Sequence, residues 1–186
     1  MFVLTILLFI AIALVILFTL KLMNVIKEND YHKVVQFMNT YVNILFVGVF
    51  VIYITMMIVS MVEISSSEYV FVVFIKLLIH LLFFISIFIL SRKLIHNLKA
   101  SIIFNQQNAT YIHQIGSQFI YMSIVEILIG FVVGIISFLA GSTTRDFMIQ
   151  TNTTLLLFVL FGLILLLVSF VLKKAIELYE ENQLTI

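Results

Sequence analysis

The chain has no cysteine, no proline and no tryptophan, and only 10% of its residues are charged. Without cysteine there is no disulfide framework, no thiol nucleophile and no cysteine-based zinc or iron–sulfur site. Without proline no helix is kinked by a ring, which weakens the case for the interrupted helices of many transporters. A net charge of +1 is too small for a nucleic-acid-sized basic surface, so no direct nucleic acid binding is expected. There is also no nucleophile–base pair, no metal-ligand spacing and no phosphate-binding glycine loop. A non-enzymatic protein with no metal and no cofactor is therefore expected.

What the chain has in quantity is hydrocarbon. Its 186 residues are 63% hydrophobic, against about 45–50% apolar and about 25% charged residues in soluble domains, and the mean hydropathy is +1.27. A bilayer core about 30 Å thick needs about 20 apolar residues in a helix rising roughly 1.5 Å per residue. Five stretches satisfy this: 2–20, 42–62, 69–90, 119–140 and 155–172. The expected fold is all-α, an integral membrane bundle of five transmembrane helices in one membrane domain, 1–186. The first stretch lacks a positive leader and a small-residue cleavage site, so it is read as a retained span and not as a signal peptide.

Orientation follows from the basic residues. Lys21, Lys27, Lys33, Arg92, Lys93, Lys99, Lys173 and Lys174 fall on one side of the expected spans, and only Arg145 on the other. Positive residues favour the cytoplasmic side. With five spans this predicts an external N-terminus and a cytoplasmic C-terminus. The expected location is a cell (plasma) membrane, with the lipid bilayer as the first partner.

Three ionisable residues sit inside spans. Lys76 and His80 lie one helical turn apart in the third span, and Glu126 lies in the fourth at nearly the depth of His80. An unpaired charge in mid-membrane costs about 2.5–3.5 kcal/mol even on insertion scales, so the three are expected to face one another. They can act as a proton or ion relay, or simply as a polar pair fixing how the two spans dock. Gly130 and Gly134, on the stripe of Glu126, form a small-xxx-small pattern for close helix approach, within the chain or in a homodimer.

Past Leu90 the helix is expected to continue, with Leu94, Ile95, Leu98 and Ile102 on one face and Arg92, Lys93, His96 and Lys99 mostly on the other. Such a cationic amphipathic stretch suits an anionic inner leaflet or a docked soluble partner. Asp30 and Asn105 are placed to cap the helices that follow them. The tail, ending Glu180-Glu181-Asn182-Gln183-Leu184-Thr185-Ile186, is expected to fold back onto the basic 91–118 connection, with Glu180 and Glu181 near Lys93 or Lys99.

Phe104, Asn108, Ile112, Ile115 and Gly116 match a Phe-x-x-x-Asn-x-x-x-apolar-x-x-Ile-Gly pattern, and the tail matches a Glu-Asn-Asp-Leu-Thr-Ile ending except that Gln183 replaces the acid. Over residues 42–186 the chain resembles a family of small bacterial membrane proteins catalogued as domain of unknown function twenty-nine seventy-five. That resemblance implies no established enzymatic activity, a four-span core, and a frequent gene neighbour encoding a small helix-turn-helix regulator. The leading expectation is a regulatory membrane protein that binds or sequesters such a DNA-binding regulator through Arg92, Lys93, Lys99, Phe104, Asn108 and the Glu180, Glu181, Asn182, Leu184, Thr185 and Ile186 tail. The alternatives are a small transporter or proton-linked permease component using Lys76, His80 and Glu126, and a bacteriocin or toxin immunity protein.

Overall fold

The structure is a computed structural model, and it describes residues 17–21, 23–27, 30–63, 70–139 and 153–184. Four long helices occupy most of these residues: α1 (Tyr31–Glu63), α2 (Val70–Lys99), α3 (Gln106–Leu139) and α4 (Thr153–Leu184). Residues 17–21 and 23–27 are also helical, and there is no strand among the described residues. All four long helices have the length and apolar composition to cross a membrane. The chain is thus an all-helical, multi-pass membrane protein. The expected first span, 2–20, lies almost wholly outside the described residues, as does the 64–69 connection.

The helices are longer than the apolar runs that seed them. At about 1.5 Å per residue, the 33 residues of α1 extend roughly 50 Å, well beyond a hydrocarbon core of about 30 Å. Its start is fixed by Asp30. The Lys33 amide donates to Asp30 Oδ1 at 3.2 Å and the Val34 amide to the Asp30 carbonyl at 3.0 Å. The same Lys33 amide, more than the nearby Lys33 charge, holds the Asp30 carboxyl below its ordinary range. The helix capped by Asp30 runs unbroken into the apolar span. The polar segment from Tyr31 contains neither glycine nor proline, and nothing in it stops one helix running from the cap into the membrane.

Phe18 and Lys21 lie against the start of α1. Phe18 meets Phe37 and Tyr41 at ring separations of 6.0 and 6.2 Å, and Lys21 Nζ stands 5.9 Å from the Phe37 ring.

Successive helices run antiparallel, as their paired residues show. Between α1 and α2, Tyr31 pairs with Leu98, Asn39 with Arg92, Phe46 with Phe88 and Tyr53 with Phe84. Between α2 and α3, Asn97 pairs with Asn108 and His80 with Glu126. Between α3 and α4, Ala109 pairs with Ser169 and Phe119 with Phe158.

Close backbone packing joins α1 to α2, α2 to α3 and α3 to α4, and no other pair among the described helices. The helices therefore form an open row in chain order where a compact bundle was expected. Apolar side chains such as Leu82, Leu128, Leu156 and Leu167 remain exposed. In a bilayer this is inexpensive, because lipid tails solvate leucine as well as another helix does.

The tightest seam is α3–α4. A Cβ on Gly162 would lie 2.6 Å from Ile120 Cδ1 and 2.9 Å from the Gly116 carbonyl, and one on Gly116 only 3.0 Å from the Gly162 carbonyl. The facing glycines let the two backbones approach. Close packing within the chain does not use Gly130, where an added Cβ would meet nothing within 4 Å. Its i,i+4 partner Gly134 is buried.

Candidate functional site

Two polar assemblies stand out against this apolar row. The first lies within the membrane at the α2–α3 seam. The antiparallel register places Glu126 opposite the turn that carries Lys76 and His80. Lys76 Nζ is 2.8 Å from Glu126 Oε2, and His80 Nε2 is 3.3 Å from Glu126 Oε1. Counting about 1.5 Å per residue back from Arg92, His80 stands roughly 18 Å and Lys76 roughly 24 Å toward the opposite surface.

Burial is graded along the cluster. The His80 side chain is 4% exposed, Glu126 19% and Lys76 34%. Lys76 is the member whose stem can lift its charge toward headgroups. The Tyr53 ring of α1 covers His80 at 6.4 Å. Ser123, one turn before Glu126, donates to the Phe119 carbonyl of its own helix at 3.0 Å.

His80 Nε2 is buried without an aligned hydrogen bond, despite its proximity to the carboxylate. A carboxylate held between an ammonium and an imidazole forms a mutually compensated polar cluster, the arrangement in which ionisable groups are tolerated in hydrocarbon. No group of three histidine, cysteine, aspartate or glutamate side chains suited to a metal occurs among the described residues.

The second assembly joins the ends of α2 and α3. The α2 helix closes on a Schellman turn: the Ile102 amide donates to the Asn97 carbonyl and the Ser101 amide to the Leu98 carbonyl, at 3.0 and 2.9 Å. Ser101 occupies the left-handed position with φ 59°, where glycine is usual. Asn105 restarts the chain as the α3 cap, its Oδ1 accepting from the Gln107 amide at 2.8 Å.

Asn108 holds this turn shut. It is 1% exposed. Its Nδ2 donates to the Ile102 and Ile103 carbonyls at 2.7 and 3.0 Å, and its Oδ1 accepts from Asn97 Nδ2 at 2.8 Å. The Tyr31 hydroxyl donates to the Leu98 carbonyl at 2.6 Å, tying in the start of α1. On the other side Ser169 of α4 donates to the Ala109 carbonyl at 2.8 Å. All four helices are therefore bonded at this end, directly or through one neighbour.

The basic residues are placed unequally. Arg92 Nη1 donates to Asn39 and Asn43 of α1, at 2.7 and 3.2 Å, so it is a structural strut as well as a charge. Lys93 Nζ stands 6.0 Å from the Tyr111 ring. With His96 and Asn97 these residues line an open cleft of about 360 Å³. Lys99 is exposed in the last turn of α2.

The tail does not fold back. α4 continues past Lys173 and Lys174 as helix to Leu184, with Lys174 Nζ 2.6 Å from Glu177 Oε2. An unbroken run of good helix formers, with neither glycine nor proline after Leu172, gives the chain no place to turn. Glu180, Glu181 and Asn182 are exposed on that helix. Thr185 and Ile186, and the side chain of Leu184, lie outside the described residues. Contact between α4 and the connection comes instead from Tyr179, whose ring stacks on Phe104 at 6.2 Å and 17°.

Sequence reasoning did not single out Tyr31, Asn39, Asn43, Tyr111, Ser169 or Tyr179. Asn39 and Asn43 carried the one usable signal, two amides at i and i+4 on a membrane helix, which ask for a shared donor.

The chain matches the family described as Protein of unknown function (DUF2975) over residues 62–186, and it belongs to that family. The match begins at the end of α1, so α2, α3 and α4 are the family portion, which holds both Glu126 and Asn108. No curated protein and no solved structure matched the chain.

Proposed function

We propose that this family member is a non-enzymatic membrane scaffold that docks a small soluble regulatory protein at the Phe104–Tyr179 end of the row. One observation carries the reading. Phe104 and Tyr179 are 59% and 54% exposed, yet they stack on each other over a turn fixed by the buried amide of Asn108. Exposed Ile102, Ile103 and Leu178 extend the patch. Aromatic and aliphatic anchors on a rigid support are what a protein interface needs, because little ordering cost is left for binding. Lys99 on one side and Glu180 on the other supply a charged rim of both signs.

The eight basic residues counted above favour the cytoplasmic side for this end, and the resemblance favours a bacterial cell. A small helix-turn-helix regulator, held there away from DNA, fits both the location and the resemblance. The test is a photo-crosslinking residue at Ile103 in native membranes. Capture of a helix-turn-helix protein, lost on Phe104→Ser and on Tyr179→Ser, supports the reading. A crosslinking pattern that neither substitution alters defeats it.

A second reading rests on Lys76, His80 and Glu126, a carboxylate placed to exchange a proton between two bases. It makes the protein a proton-linked permease component. Flux, or growth across a pH range, that is unchanged in Glu126→Gln removes it.

A further inference from the structure

The cleft lined by Arg92, Lys93, His96, Asn97 and Tyr111 is separate from the Phe104–Tyr179 patch and lies deeper along the row. Three of its residues are cationic or can become so, and two are neutral hydrogen-bond donors. None of the described carboxylates lies within 4.0 Å of Arg92 or Lys93. Arg92 spends its Nη1 on neutral amide oxygens, which orient the guanidinium without cancelling its charge. The cleft is therefore a preorganised positive concavity with no counterion among the described residues.

Its position along α2 says what kind of anion it meets. Leu82, Ile89, Lys93 and His96 follow one another at spacings of seven, four and three, so they share one face of the helix. Leu82 is 60% and Ile89 48% exposed, while Lys93 and His96 are exposed one turn and two turns beyond them. Along one stripe the surface changes from hydrocarbon to cation where the apolar run of α2 ends at Leu90. That is the profile of a single phospholipid lying lengthwise, acyl chain below and phosphate above.

We infer that this cleft binds the phosphate of an anionic glycerophospholipid, with an acyl chain along Leu82 and Ile89. Lys93 supplies the charge, the Tyr111 hydroxyl and Asn97 amide supply neutral donors, and Arg92 is the fixed positive wall. Basic pockets between membrane helices on this side are suited to such headgroups. A free phosphate ion would use the same donors but would gain nothing from the apolar stripe.

The test is native mass spectrometry of the full-length protein in mild detergent, titrated separately with phosphatidylglycerol and phosphatidylcholine. Phosphatidylglycerol should be retained preferentially. A basic residue near the membrane surface contributes about 1 kcal/mol toward an anionic lipid, so Lys93→Gln should weaken retention about fivefold. Lys93→Arg should keep it. Lys173→Gln removes the same charge from the same end of the row and should leave retention unchanged. Equal losses in Lys93→Gln and Lys173→Gln would mean diffuse charge attraction and would overturn the site. Displacement of the lipid by millimolar inorganic phosphate would overturn the assignment to a lipid. Lys93 is exposed, so loss of fold does not confound the comparison, and unchanged thermal unfolding of each variant checks this.

Discussion

The Lys76–Glu126 pair lends itself to a double-mutant cycle, because its two partners should fail differently. At 2.8 Å and an effective dielectric constant of about 20, the gross attraction is about 6 kcal/mol. Most of that offsets the cost of dehydrating both ions. Glu126→Gln leaves an unpaired ammonium within the bilayer. The insertion cost of about 2.5–3.5 kcal/mol applies at mid-membrane and falls when the charge can reach headgroups, so about 2 kcal/mol is expected. Lys76→Met leaves a carboxylate that still has His80 beside it, so about 1 kcal/mol is expected. Replacing both removes both charges at once, and the double variant should lie within about 1 kcal/mol of the parent. The coupling is then about 2–4 kcal/mol. Reversible unfolding in bicelles measures all four corners of the cycle. A coupling below about 0.5 kcal/mol would show two independent residues and would refute the seam as drawn.

Three further outcomes follow from single positions. Ser101→Gly relieves a left-handed serine and should stabilise the protein by about 1 kcal/mol in thermal unfolding; a loss of stability would mean the Schellman turn is not as described. Asn108→Ala strips three hydrogen bonds from a buried site and should cost about 2–3 kcal/mol, with faster amide exchange confined to residues 101–105; uniform exchange throughout α3 would contradict its role as a local clamp. Gly162→Ala should destabilise by about 1–3 kcal/mol because its Cβ strikes Ile120 and the Gly116 backbone, while Gly130→Ala meets nothing and should be neutral or stabilising. Equal effects at the two glycines in the same unfolding assay would count against the α3–α4 seam.

Length and hydropathy were enough to reveal the four described spans, because each is a run of apolar residues matched to a bilayer thickness. The caps were legible for the same local reason. Asp30 and Asn105 stand before uninterrupted helix formers, and both accept from the amides that follow them. The depth match of His80 and Glu126 needed only helical rise and antiparallel order. The continuation of α2 past Leu90 was legible as well, because hydropathy falls at Ser91 but helical propensity does not. The end of α4 was harder to read: helical propensity outlasts the acidic residues expected to fold back, and the helix runs to Leu184. The glycine pair was invisible for another reason. Gly116 and Gly162 lie on different helices, and no spacing within one helix reports a contact between two. Gly130 and Gly134 have the motif spacing, but Gly130 faces open space.

The row was the least legible feature, and its cause bears on function. In water an apolar helix face must find another, so hydrophobicity drives closure into a bundle. In lipid that drive is gone, and association rests on close packing and hydrogen bonds. The three seams use these resources differently. Between α1 and α2, rings stack, with Phe46 and Phe88 at 3.9 Å. Between α3 and α4, glycine meets glycine over a serine–carbonyl bond. Between α2 and α3 the specific bridges are polar, Asn97–Asn108 near one end and Lys76–Glu126 toward the other. Close backbone packing can change only by moving whole helices, whereas an ion pair is also sensitive to any charge brought near it. Of the three, the α2–α3 seam is the one that carries an ion pair within the membrane. The cleft lined by Arg92, Lys93, His96, Asn97 and Tyr111 straddles this seam, and the family portion of the chain contains it whole.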